Sequence, residues 1–187
     1  LYDFWAQRPT PIVPRSLCYG AQERILHTGE ILKPLDKEQI EAIVADIKTK
    51  DVASIAVCLL NSYTNPAHEN QIKSIIASVY PEAFVTISAE VLPEFREYER
   101  TAATVLNAYL GPVVGDYLEK MEGEIKVQGL TGKLYIMQSN GGTITAKSAR
   151  QSSARTALSG PAGGALTGVY LSQRLKQPDV ITIDMGG

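Results

Sequence analysis

The sequence predicts an α/β fold: a mixed sheet with crossover helices, followed by a long helical segment. Three observations carry that expectation. Residues 52–60 form a near-continuous apolar run of strand length, the pattern of a strand covered on both faces. Amphipathic helical patterns precede and follow it, as crossover connections between neighbouring strands require. The longest helical pattern of the chain then runs from Glu99 to about Val127.

Taken in order, residues 1–16 are proline-rich with little periodicity and read as an extended connection. Residues 17–26 read as a strand that turns through His27, Thr28, Gly29 and Glu30 into Ile31 and Leu32, a hairpin with Arg24 alternating outward. Asp36 is a good helix N-cap, and Gln39 is placed to close a capping box. Ile40, Ile43, Val44 and Ile47 follow at the spacing that puts one apolar face on a core. After the strand at 52–60, Asn65 caps a second helix with Pro66 at its first position. Ile72, Ile75, Ile76 and Val79 repeat the stripe, Pro81 ends it, and residues 83–87 form the next strand. A loop with Pro93 covers 90–98. In the long helix Leu106, Leu110, Val114, Leu118, Met121 and Ile125 form one stripe, widened by Tyr109, Val113 and Tyr117. Pro112 is expected to kink or break that helix. Residues 133–138 and 143–145 read as a strand and its short return about a tight turn at 139–142. A short helix at 146–151, a glycine-opened helix at 160–174 and a buried strand at 180–183 complete the chain.

The 187 residues are 44% hydrophobic and 20% charged, an ordinary globular balance. A net charge of −2 gives no electrostatic reason to expect nucleic acid or anionic lipid. No apolar run reaches the roughly 18 residues of a membrane span, and no signal peptide opens the chain. Cys18 and Cys58 are too few for a disulfide framework; Cys58 reads as a small core residue, and a cytoplasmic setting fits best. The chain opens on Leu1 and stops at Gly187, and is read as a fragment of a larger enzyme.

Chemistry concentrates near the carboxy terminus. A strand that delivers Asp184 and then Gly186 and Gly187 is a phosphate-handling pattern: glycines let N–H groups approach an anion, and the carboxylate can hold Mg²⁺ through water. Upstream, Ser159, Gly160, Gly163 and Gly164 open a helix whose free N–H groups and dipole favour an anion. The bland alternative is equally open, because Gly160, Gly164 and Gly168 lie four apart and would let another segment pack unusually close. No Lys follows these glycines, so they form no Walker A loop, and no GxGxxG occurs. Ser139, Asn140, Gly141 and Gly142 form a turn by local chemistry alone. Arg96, Glu97, Glu99 and Arg100 read as a solvated charge cluster. His27 and His68 lack partners at metal-ligand spacing, and His68 is expected to be exposed. No Ser-His-Asp or Cys-His arrangement has support.

SGPAGG at 159–164, followed by ITIDMGG at 181–187, resembles the hydantoinase A/5-oxoprolinase family. So do Glu23-Arg24-Ile25 with Gly29-Glu30 and Pro34-Leu35-Asp36, AVCLLNSYTNPAHE, EVLPEFREYERTAATVLNAYLGPVV and IMQSNGG, in the family's order over nearly the whole chain. The resemblance implies part of an actin/hexokinase-like (ribonuclease H-like) ATPase lobe. It divides the chain at 1–95 (rear of the first lobe), 96–178 (a helical and hairpin segment) and 179–187 (first strand and phosphate loop of the second lobe). It implies ATP and Mg²⁺ as cofactors, with Asp184 positioning the metal and Gly186 and Gly187 lining the phosphates. Asn140, Gly141, Arg100, Thr101 and Asn107 fall on the substrate side; no residue is assigned as catalytic. The implied activity is ATP-dependent hydrolysis of a cyclic amide, with the ring carbonyl activated by phosphorylation and no turnover expected from the fragment itself. The alternatives are a subunit of an ATP-dependent ketone carboxylase, and a non-catalytic interaction module. The implied partner is a hydantoinase B-type subunit or domain in an oligomeric parent.

Overall fold

The computed structural model describes residues 3, 5, 6 and 9–185, arranged as two units, Leu1–Val105 and Leu106–Gly187. Gly186 and Gly187 lie outside the described residues.

The first unit opens with strands β1 (Arg24–Ile25) and β2 (Ile31–Lys33), an antiparallel hairpin turning at Gly29. The strand expected over 17–26 is thus reduced to its last part. Its earlier residues are tied by side chains instead: Tyr19 Oη donates to Asp46 Oδ2 at 2.7 Å, and Lys50 pairs with the same carboxylate. Helix α1 (Lys37–Thr49) is capped by Asp36, whose Oδ1 accepts from Gln39 N at 3.0 Å. The capping box does not close. Gln39 reaches out of the helix, accepting from Gln22 N and donating to Gly20 O, and so fastens the incoming chain to α1.

Strand β3 (Ser54–Val57), helix α2 (Ala67–Val79) and strand β4 (Phe84–Ile87) make a parallel crossover unit in the register Ser54↔Phe84 to Val57↔Ile87. Asn65 Oδ1 accepts from Ala67 N at 3.0 Å at the start of α2, directly after Pro66. The two helical stripes meet over the strand pair. Ile40, Val44 and Ile47 from α1, Ile72 and Ile76 from α2, Val57, Ile87, Leu35 and Tyr80 form the buried core. Tyr80 also satisfies its hydroxyl by donating to Val52 O at 3.0 Å. A single turn of helix, α3 (Ser88–Val91), follows β4 and runs into the start of the loop expected at 90–98, and α4 (Glu97–Val127) begins in this unit.

In the second unit α4 continues through Pro112 without a break. Buried positions recur on both sides of the proline, Ala108 before and Leu118 after. Tyr109, Val113 and Tyr117 do not widen that stripe; all three are exposed. Strands β5 (Tyr135–Met137) and β6 (Thr143–Thr145) pair antiparallel, and α5 (Ala146–Gln151), a 3₁₀ turn (Ser153–Thr156) and α6 (Ser159–Leu175) follow. Among the described residues the sheets are all two-stranded, so the mixed α/β fold is built of small sheets rather than one broad one. The strand expected at 180–183 does not form, because no described strand lies beside it to pair with. Among the described residues no helix is long and apolar enough to cross a membrane.

Candidate functional site

The second unit brings three of the sequence-flagged stretches together at the start of α6. The turn between β5 and β6 comes first. Gly141 adopts φ 85°, and a β-carbon there would stand 3.0 Å from Leu166 Cδ1 of α6. Asn140 Oδ1 accepts from Gly142 N at 2.9 Å, which closes the turn. Ser139 then fastens it to the approach to α6: its N and Oγ donate to Arg155 O, and its Oγ accepts from Leu158 N at 3.1 Å.

No side chain caps the start of α6, and Ser159, Gly160 and Pro161 form its first turn. Asp184 comes back to this point. A β-carbon on Gly160 would lie 4.0 Å from Asp184 Oδ2. A carboxylate therefore sits beside the positive end of the helix, in position to share that end with a cation-bearing anion. Gly168 answers the packing alternative directly. A β-carbon there would collide with Thr182 Cγ2 and stand 3.9 Å from Val180 Cγ1, so the glycine admits the returning chain. Val180, Thr182 and Asp184 face α6, while Ile181, Ile183 and Met185 point away, exposed at 83–91%.

Among the described residues no group of three or more His, Cys, Asp or Glu side chains could hold a metal ion. One carboxylate suits Mg²⁺, which keeps most of its waters and travels on substrate phosphates. The exposed Asp184 carboxylate is chemically compatible with that mode.

Arg100 and Thr101 belong to the first unit and Asn107 to the second. Arg100 is 1% exposed in the first unit, where Nη1 donates to Glu94 O at 2.7 Å and Nη2 to Leu59 O at 3.0 Å. Its guanidinium also lies over the Tyr63 ring, 5.5 Å from the centroid. Thr101 is half-buried beside the Cys58 thiol. Asn107, in the second unit, is buried; Nδ2 donates to Gln151 O at 2.9 Å and Oδ1 accepts from Ala154 N at 3.0 Å. It clamps the helix to the segment leading from α5.

A buried polar cluster in the first unit escaped the sequence. His68, expected on the surface, is buried, with Nδ1 2.7 Å from Glu23 Oε2. Glu69 is wholly buried; it accepts from Leu59 N, Ser88 Oγ and Ala89 N at 2.6–2.9 Å. The flag for both was the helix-start position after Asn65-Pro66, where polar side chains can turn inward to meet strand ends. Burial pushes the neighbouring Cys58 thiol up to about 11, with Thr104 and Thr101 opposing. The thiol is half-buried rather than part of the core cluster, and has little nucleophilic character.

Comparison with known proteins gives these sites a context. The hydantoinase/oxoprolinase N-terminal region profile matches residues 1–80, and the hydantoinase/oxoprolinase profile matches residues 100–187. An uncharacterized protein of Methanocaldococcus jannaschii is 41% identical over the whole chain, which covers 28% of that protein. The crystal structure of the ATP-dependent caprolactamase of Pseudomonas jessenii superposes with a TM-score of 0.87 at 34% identity, over 100% of this chain and 27% of that one. A nucleotide-free structure of acetone carboxylase gives a TM-score of 0.80 at 31% identity, over 91% and 24%. The chain thus spans about a quarter of the length of these relatives. Two profiles in tandem and two superpositions agree, and the chain belongs to the hydantoinase/oxoprolinase family.

Proposed function

We propose that this chain is part of an ATP-dependent enzyme that hydrolyses a cyclic amide of the hydantoin, 5-oxoproline or lactam kind. The observation that carries the reading is the convergence of the Asp184 carboxylate with the uncapped start of α6. ATP with Mg²⁺, when bound, supplies the phosphoryl group that makes a ring carbonyl open to attack by water. Asp184 holds the metal through water. Ser159, Gly160, Gly163 and Gly164 offer N–H groups and open backbone to the phosphates, and Gly186 and Gly187 extend that lining. Asn140 and Gly141, fixed to the same helix through Ser139 and Leu166, present the turn toward the substrate. Arg100, Thr101 and Asn107 serve that side as positioning residues, since the polar groups of Arg100 and Asn107 hold backbone.

One relative is the alpha subunit of a caprolactamase, which supports a partner subunit for the parent enzyme; we take that partner to be of the hydantoinase B type and the parent to be oligomeric and cytoplasmic. The likeness to acetone carboxylase supports a second reading, an ATP-dependent ketone carboxylase subunit. ATP hydrolysis by the whole enzyme, measured with 5-oxoproline, hydantoin, caprolactam, or acetone plus bicarbonate, separates the two. We expect a cyclic amide to stimulate it. Asp184→Asn should lower kcat about a hundredfold and raise the Mg²⁺ requirement. Stimulation by acetone alone would favour the carboxylase; an Asp184→Asn enzyme of unchanged kcat would remove the site. The 187-residue chain alone should hydrolyse no ATP.

A further inference from the structure

A cavity in the Leu106–Gly187 unit has no part in the reading above. It measures about 240 Å³ and is lined by the end of α4, residues 132–134 and the start of α5. Ile125, Leu134 and Ala146 give it an apolar floor, while the exposed lysines Lys126, Lys133 and Lys147 line it from three different segments. Glu122 is the single carboxylate of the lining, and Arg150 Nη2 already occupies it at 2.6 Å.

Of the lysines of the first unit, Lys50 pairs with Asp46, Lys73 with Glu90, Lys48 donates to Val79 O and Lys33 to Gln22 Oε1. No carboxylate among the described residues comes within 4.0 Å of Lys126, Lys133 or Lys147. Like charges gathered around one apolar hollow repel one another, and an anion entering it removes the repulsion while its carbon skeleton covers the floor. Lysine suits this task as a compact point charge on a flexible stem, able to follow a carboxylate or a phosphate.

We propose that this cavity is a binding site for a small organic anion with an apolar body, separate from the Asp184 site. The test is calorimetric titration of the full chain at low ionic strength with hexanoate, phenyl phosphate and inorganic phosphate. Saturable binding of hexanoate or phenyl phosphate is expected, and whichever binds more tightly identifies the headgroup. Inorganic phosphate, which cannot cover the floor, should bind at least about tenfold more weakly. The triple variant Lys126→Gln, Lys133→Gln, Lys147→Gln should lose binding at least about tenfold, and Lys37→Gln, on α1, should leave it unchanged. A thermal melt of each variant guards against unfolding, and Lys→Arg at all three positions should restore binding. No saturable binding of either organic anion, equal binding by the triple variant, or equal affinity for inorganic phosphate would each overturn the proposal. The test is independent of the ATP reading, because Asp184→Asn should leave these affinities untouched.

Discussion

Glu69 shows how much of this fold hangs on single polar side chains. Its carboxylate takes the N–H of Leu59 after β3, and the hydroxyl of Ser88 and the N–H of Ala89 after β4. One side chain on α2 thereby fixes the ends of both parallel strands. Glu69→Ala would take the acceptor from two part-buried N–H groups and from the buried Ser88 hydroxyl, and we expect a loss of about 2 kcal/mol in urea unfolding, with Glu69→Gln losing less. Cys58 makes a different prediction. Its thiol is raised from 9.0 to about 11 by burial, so the folded state holds a proton that the unfolded chain releases first. Its contribution is complete below pH 9 and disappears as the pH rises through 11. Unfolding free energy measured across that window should fall more steeply for the wild type than for Cys58→Ala.

At the scale of elements, helix α4 and helix α6 use glycine in opposite ways. Gly123 in α4 has open space where a β-carbon would stand, so Gly123→Ala should stabilise the chain by about 0.5–1 kcal/mol in a thermal melt. Gly168 in α6 has Thr182 in that space. Gly168→Val should displace residues 180–184, seen as chemical-shift changes confined to that segment and the facing turn of α6. Helices were the most legible elements because their stripes are long: α1, α2 and α6 lie within a residue or two of their sequence expectation, and α4 begins two residues early. The hairpin turns were legible from Gly29 and from Asn140-Gly141. The strand at 180–183 was not, because an apolar run reports a strand's composition and only a neighbour makes it a ladder. The site was partly legible. Asp184 and the start of α6 stood out as separate patterns. Their meeting, and the inward turn of His68 and Glu69, depend on tertiary contacts that no local spacing encodes.

At the scale of the molecule, the two units differ in what they bury. The first has a core of leucine, isoleucine, valine and tyrosine side chains from both helices and both parallel strands. The second buries Ala108, Leu118, Ala146, Ala149 and Gly168, while Tyr109, Val113, Tyr117, Leu166, Val169 and Tyr170 are exposed. Buried apolar area sets the stabilisation, and small residues bring little of it. Amide exchange of the 187-residue chain should therefore be at least about tenfold faster in α5 and α6 than in α1 and α2. Equal protection in the two units would mean that the second is held by something other than its apolar core.

The β1–β2 hairpin is seated by two asparagines that reach its main chain, Asn61 to Ile25 O and Asn65 to Gly29 O, each at 2.8 Å. Every amino acid carries that oxygen. The outward-facing letters of the hairpin can consequently be rewritten, or a foreign β-arm grafted in, while the anchorage stays the same. The asparagines themselves enjoy no such freedom, for a shorter or longer amide would miss its target.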